Sequence, residues 1–124
     1  FEEHIRSAKL SVTIDFREDF IVNANFDLCM VLVNNLVQNA IRHNKKGGTI
    51  KISVTIDRFI ISNSGISEAL DNEQVFKRFN KNNEMQDSIG LGLSIAKEIA
   101  ETSNLILGYA FEEGLHVFSV KRVK

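Results

Sequence analysis

Leu28 to Asn44, reading LCMVLVNNLVQNAIRHN, is the stretch that most constrains this chain. At about 100° per residue, Asn35, Asn39 and His43 fall near 0°, 40° and 80° around a helix, with Arg42 near −20° and Gln38 near −60°. That spacing predicts a helix with one polar stripe, while Val33, Leu36, Val37 and Ala40 occupy the opposite arc against a core. A merely solvated helix face usually carries long charged residues, because Asn competes with the helix for backbone hydrogen bonds. Two carboxamides one turn apart instead offer two neutral oxygens to one hard cation, and Arg42 beside them meets an anion. A metal ion bound to a polyphosphate satisfies both; a polar helix face without a ligand is the alternative.

The flanks frame this helix. Asn25 is positioned as an N-cap and Asp27 as a first-turn acid, and Lys45-Lys46-Gly47-Gly48 predicts basic residues and a left-handed glycine cap at the far end. Before it, Leu10, Val12, Ile14 and Phe16 alternate with polar residues as in a strand covered on one face, and Phe20 to Val22 is expected to pair with that strand. After it, Thr49 to Ile56 is the clearest strand, and Asp57-Arg58 connects it in a hairpin to Phe59–Ile61. Ser62-Asn63-Ser64-Gly65 reads as a turn with a glycine free to take positive φ. Asn72 to Phe79 predicts a short helix, and NKNNEMQDS (Asn80–Ser88), with one apolar member, a mobile loop. Ile89-Gly90-Leu91-Gly92-Leu93 opens a helix to about Ser103 that buries Leu91, Ile95 and Ile99 and exposes Lys97, Glu98 and Glu101. A second hairpin closes the chain around Glu112-Glu113-Gly114. One amphipathic face per element gives an α+β class, with helices on one side of a mainly antiparallel sheet.

Length and charge restrict the partners. At 124 residues with 44% apolar content the chain holds one substantial core, and a formal charge of −1 with both signs interspersed offers no footprint for nucleic acid and no polybasic membrane patch. Cys29, the single cysteine, excludes an internal disulfide and suits a reducing, cytoplasmic setting as a small buried hydrophobe. The longest apolar run, Leu28–Val33, is far too short to span a bilayer. The chain begins at Phe1 rather than Met, and residues 1–9 are expected to be the end of a preceding linker helix, with the domain itself covering 10–124.

Gly90-Leu91-Gly92-Leu93 at a helix start is a place where backbone amides and the helix dipole hold phosphate. It is neither a Walker A loop nor a full dinucleotide fingerprint, since Ile95 stands where a third glycine belongs, so a glycine-rich helix entry remains the alternative. The loop before it carries Lys81, with Arg78 one turn earlier, which places cations on a flexible cover beside that helix end.

Together these stretches resemble the ATP-binding catalytic domain of sensor histidine kinases, within the superfamily of gyrase, heat-shock chaperone, histidine kinase and mismatch-repair ATPases. Asn35-Leu36-Val37-Gln38-Asn39-Ala40-Ile41-Arg42-His43-Asn44 is similar to the N box, Asn63-Ser64-Gly65 to the G1 box, Val75-Phe76-Lys77-Arg78-Phe79 to the F box, and Ser88-Ile89-Gly90-Leu91-Gly92-Leu93-Ser94-Ile95 to the G2 box. The resemblance runs from about Leu10 to the end. It implies a two-layer α/β sandwich, a mixed and mainly antiparallel sheet covered on one face by three helices. It also implies that Asn39, with Asn35 beside it, binds Mg²⁺, that Arg42 and Lys81 face the phosphates of ATP, and that His43 borders the nucleotide. Asn63 would read the adenine amino group with Gly65 in the same box, and Gly90, Leu91, Gly92 and Leu93 would close over the phosphates. The implied partners are a dimerisation domain carrying the phosphoacceptor histidine and a downstream response regulator.

Two departures modify this expectation. The family usually has Asp where Asn63 stands and a second glycine where Ser67 stands. An Asn oxygen still accepts from the adenine amine but without charge assistance, and hydrogen bonds to charged groups are worth about twice the neutral ~1 kcal/mol, so weaker ATP binding than in relatives with Asp is expected. In the hydrolytic members and the related serine kinases a Glu stands where Asn35 is, and a carboxamide takes no proton at neutral pH. The expected activity is therefore transfer of the γ-phosphoryl of Mg-ATP to a histidine, with no catalytic residue in this chain, and the fragment is not expected to autophosphorylate alone. The alternative is a degenerate module of this superfamily, with weak or no ATP binding, that serves protein interaction.

Overall fold

The computed structural model describes residues 2–72, 74–77 and 91–123. Its elements in chain order are α1 (Glu2–Ser7), β1 (Ser11–Phe16), α2 (Phe26–Arg42), β2 (Thr49–Val54), β3 (Arg58–Asn63), α3 (Leu91–Thr102), β4 (Leu105–Glu112) and β5 (Leu115–Arg122). The strands form one sheet in the order β1-β2-β3-β5-β4.

Pairing is antiparallel except between β1 and β2, which run parallel with Val12 opposite Ile50 and Ile14 opposite Ile52. The sheet is thus mixed and mainly antiparallel, as expected, but β1 takes β2 as its neighbour and Phe20–Val22 is not a strand. Arg122 explains why that segment needs no ladder. Its guanidinium donates to the Ile21 carbonyl at 3.0 Å and lies 4.9 Å from the Phe20 ring centre, so a side chain satisfies the backbone while Phe20 and Val22 pack against the core. Val12, Ile14 and Phe16 continue the row of Ile50, Ile52 and Val54 but remain 38%, 67% and 59% exposed, so the expected cover over β1 is missing among the described residues.

The core lies on the other strands. Ile50, Ile61, Phe118, Val120, Leu105 and Leu107 line the sheet, and α2 and α3 lay Leu32, Leu36 and Ala40 and Leu93, Ala96, Ile99 and Ala100 across them. α1 adds Ile5, with Ala8 just after it, so the third covering helix comes from the N-terminal residues; residues 71–72 and 74–77 make only single turns, and residues 73, 78 and 79 of the expected short helix lie outside the described residues. Val75 in those turns is nonetheless 1% exposed, and Phe76 meets Phe118 edge-on at 5.9 Å.

Local chemistry sets the element ends. Asn25 Oδ1 accepts from the Leu28 amide at 3.0 Å, the N-cap read from the sequence. The helix stops at Arg42, and Gly47 takes its φ of +78° in the following turn rather than as the cap. The first hairpin is longer than two residues, because Thr55 Oγ1 accepts from the Asp57 and Arg58 amides and ends β2 at Val54. Glu113 and Gly114, with φ of +51° and +80°, make the tight second turn. In α3 Ile95 is 40% exposed, and Lys97 turns inward to donate to the Leu107 carbonyl at 3.4 Å and cover Phe76. The buried stripe is therefore Leu93, Ala96, Ile99 and Ala100, one third of a turn from the expected one.

Candidate functional site

The site assembles where the C-terminal half of α2 meets the end of β3 and the start of α3. On α2 the buried arc is Leu32, Leu36 and Ala40. By the helical spacing used above it is centred near 100°, so Asn35 and Asn39 lie on its rim rather than opposite it, and His43 lies within it. Both carboxamides are half-buried, and neither hydrogen-bonds a described residue. A Cβ placed on Gly92, in the first turn of α3, would be 3.7 Å from Asn35 Oδ1, so the start of α3 lies directly against that carboxamide. Leu91 is half-buried there, whereas Leu93 is 3% exposed and belongs to the core. Gly90 and Lys81, and the loop Asn80–Ser88, lie outside the described residues.

Arg42 ends the helix half-buried, and His43 follows as its C-cap. Burial, then the Arg42 guanidinium and then His116, lower the His43 pKa below the usual imidazole value, so the ring is neutral at pH 7.

At the other end, Asn63 closes β3 and is 2% exposed. Its Nδ2 donates to the Ser64 carbonyl at 2.7 Å, while its Oδ1 is buried with no hydrogen-bond partner among the described residues. Buried acceptors are rarely left unpaired, so this oxygen is an open position for a donor. Gly65 is required for a reason other than the expected one. Its φ is not positive; instead a Cβ there would stand 2.7 Å from the His43 carbonyl oxygen, so only glycine lets the turn touch the end of α2.

Three residues without an assigned role in the sequence hold these parts together. Asn44 Oδ1 accepts from the Ser64 hydroxyl at 2.6 Å and from the Lys45 amide at 2.9 Å, and its Nδ2 donates to the Thr49 carbonyl at 2.9 Å. Ser64 Oγ in turn accepts from the Thr49 amide at 2.9 Å. His116, 4% exposed and directly across the β3–β5 ladder from Asn63, bonds the Tyr109 hydroxyl and the Ile66 carbonyl, each at 2.7 Å. Asn44 stood inside a recognised motif; a lone histidine in a strand carried no such signal.

The arrangement can thus offer an acceptor to a buried donor at one end, two neutral oxygens near a glycine-started helix at the other, and a cation between them. Among the described residues no group of three or more His, Cys, Asp or Glu side chains could hold a metal, and no helix is long and apolar enough to cross a membrane.

Comparison with known proteins gives a consistent family. Residues 25–117 match the model described as "Histidine kinase-, DNA gyrase B-, and HSP90-like ATPase". Histidine kinase P4 of Formosa agariphila is 31% identical over 82% of this chain and 8% of its own length, and the signal transduction histidine-protein kinase BaeS of Escherichia coli is 30% identical over 84% of this chain and 24% of its own. A nucleotide-free catalytic domain of histidine kinase ThkA superposes with a TM-score of 0.81 at 29% identity, covering 98% of this chain and 84% of that one. The chain therefore spans less than a quarter of the length of these two curated relatives.

Proposed function

We propose, for a chain that belongs to the family of histidine kinase-, DNA gyrase B- and HSP90-like ATPases, that it binds Mg-ATP and presents the γ-phosphoryl to a histidine on a separate dimerisation domain. The coarser statement stands on the family and its relatives: this is an ATPase catalytic domain of the histidine kinase type. The finer reading is carried by one observation, the Asn63 Oδ1 without a hydrogen-bond partner among the described residues, at the far end of a site whose other end is the Asn35 and Asn39 pair.

Each side chain has a definite task. Asn63 Oδ1 accepts from the exocyclic amine of adenine, which supplies the missing donor. Neutral His43 borders the nucleotide without adding charge. Arg42 meets the phosphates, and backbone amides at the start of α3 receive them, with Gly92 keeping the approach clear. The half-buried carboxamides of Asn39 and Asn35 suit Mg²⁺, because this ion favours hard oxygens and usually takes only one or two ligands from protein, the rest being water and phosphate. When bound it would offset charge on the γ-phosphoryl. Asn35 abstracts no proton, so no base for water is present at that position; a neutral imidazole attacks phosphorus with its own lone pair and needs none there. Lys81 and Gly90 are proposed to act at the phosphates as well. The downstream partner is proposed to be a response regulator, supported by ThkA, which is 27% identical with a TM-score of 0.71 and has been solved in complex with the response regulator protein TrrA.

The test is titration of a fluorescent ATP analogue with and without Mg²⁺, on wild type and Asn39→Ala. Metal-dependent binding that the variant loses is the expected result. No binding by wild type at millimolar nucleotide would overturn the proposal and leave a protein-interaction module.

A further inference from the structure

We propose that His116 is a positioning residue that sets the nucleobase preference of the site, by holding the turn after β3 so that Asn63 presents an acceptor and not a donor. The inference rests on the nucleotide-binding reading above and goes beyond it in assigning base selectivity to a residue outside the recognised motifs.

Hydrogen-bond logic fixes the ring. The Ile66 carbonyl only accepts, so His116 Nε2 at 2.7 Å carries the proton and donates. The Tyr109 oxygen already accepts from the Leu70 amide at 2.9 Å, so its hydroxyl hydrogen is what fills the 2.7 Å contact with Nδ1, and Nδ1 accepts it. Every donor and acceptor in this chain of bonds is used in the sense its chemistry allows, the Tyr109 hydroxyl serving as both, and the result ties both ends of segment 66–70 to the sheet. Tyr109 stacks on the His116 ring at 5.9 Å and 21°, and Phe111 flanks it at 4.9 Å, so the ring has little freedom to turn.

That tie acts on Asn63 through the two residues between. A Cβ at Gly65 would lie 3.4 Å from His116 Cδ2 and 3.6 Å from Asn63 Nδ2, which places the turn between the imidazole and the amide. The Ser64 carbonyl, held in this turn, accepts from Asn63 Nδ2 and so fixes which end of the amide is free. An amide left to rotate would offer Nδ2 to the oxygen of a 6-oxopurine as readily as Oδ1 to the amine of a 6-aminopurine. Pinned as it is, Oδ1 matches the amine and opposes the oxygen.

The experiment compares ATP with ITP, which replaces the 6-amino group by an oxygen, in binding titrations of wild type, His116→Leu and His116→Gln. Wild type is expected to prefer ATP by roughly ten- to a hundredfold, the range for a hydrogen bond exchanged for an unpaired buried acceptor. In His116→Leu the preference should fall at least severalfold, because ATP weakens more than ITP, and in His116→Gln, which keeps a donor for the Ile66 carbonyl, it should return. A purely structural role would weaken both nucleotides equally. An unchanged ATP-to-ITP ratio in His116→Leu, or no recovery in His116→Gln, overturns the inference while leaving nucleotide binding intact; binding of neither nucleotide by wild type overturns both. Independently of nucleotide and of how the variants fold, ¹⁵N–¹H correlation spectra of wild type should show the Nε2–H tautomer at His116, and the Nδ1–H tautomer would refute the assignment.

Discussion

The Ser64 hydroxyl donates to Asn44 Oδ1 at 2.6 Å, joining the residue after the α2 C-cap to the residue just beyond β3. This bond decides how the two halves of the site face each other, because Asn39 and His43 lie on one side of it and Asn63 on the other. Asn44→Ala removes this acceptor together with the donor to the Thr49 carbonyl. The loss is expected to be about 1.5–3 kcal/mol, from more than one partly buried hydrogen bond left unmade. At roughly 4 °C for each kcal/mol, thermal unfolding should show a drop of about 6–12 °C, and a drop under 2 °C would mean that the tie is incidental.

Gly65 and Gly92 should respond in opposite ways to alanine. At Gly65 the added methyl meets a backbone oxygen at 2.7 Å, so α2 and the turn must separate, at an expected cost of about 1–3 kcal/mol. At Gly92 the nearest atom is Asn35 Oδ1 at 3.7 Å, an ordinary contact within a helix, where alanine is the better residue by up to ~1 kcal/mol. Stability is therefore expected to fall in Gly65→Ala and to hold or rise in Gly92→Ala, while nucleotide affinity falls in both. Paired urea denaturation and titration check all four outcomes.

Much of this was readable from the residues. The alternation in Thr49–Val54, the N-cap at Asn25 and the closing hairpin with its turn at Glu113-Gly114 are local signals, and local signals survive folding. Direction and partnership are not local. Val12, Ile14 and Phe16 alternate whether β1 runs parallel or antiparallel, and Phe20–Val22 looks like a strand because its backbone partner is a guanidinium 101 residues away. The site divides along the same line. Asn35, Asn39 and Asn63 are candidates by residue type and motif, whereas the bonds of Ser64 and His116 depend on atoms that the fold brings to them.

The lowered pKa of His43 gives stability a definite pH dependence. The unfolded chain takes up a proton near the ordinary imidazole value of about 6.5, while the folded chain resists until the pH is lower. Stability from this group is thus complete above that value and is lost as pH falls from it through the lowered folded value. His43→Asn, which cannot titrate, should flatten the decline in unfolding free energy on the acid side of pH 6.5 relative to wild type. Equilibrium denaturation at several pH values from 7.5 to 5 measures it, and parallel curves for the two proteins would rule out His43 as the source.

Asn63→Asp separates two effects that the residue alone combines. A carboxylate offers the adenine amine a charged acceptor, which strengthens that bond about twofold. It also removes the Nδ2 donor, so a buried anion faces the Ser64 carbonyl across the 2.7 Å that a hydrogen bond now occupies. The nucleotide-free variant is therefore expected to be less stable than wild type by about 1–3 kcal/mol at neutral pH. The deficit should shrink as pH falls, because a protonated carboxyl donates where the amide did and the folded state then favours the proton. Saturating Mg-ATP should raise its melting temperature by more than it raises that of wild type, since the ligand relieves the misplaced charge and gains the stronger bond. A variant equal to wild type without nucleotide would show that Asn63 Nδ2 contributes nothing to the turn, and an ATP-induced shift no larger than wild type would show that charge at this position does not limit affinity.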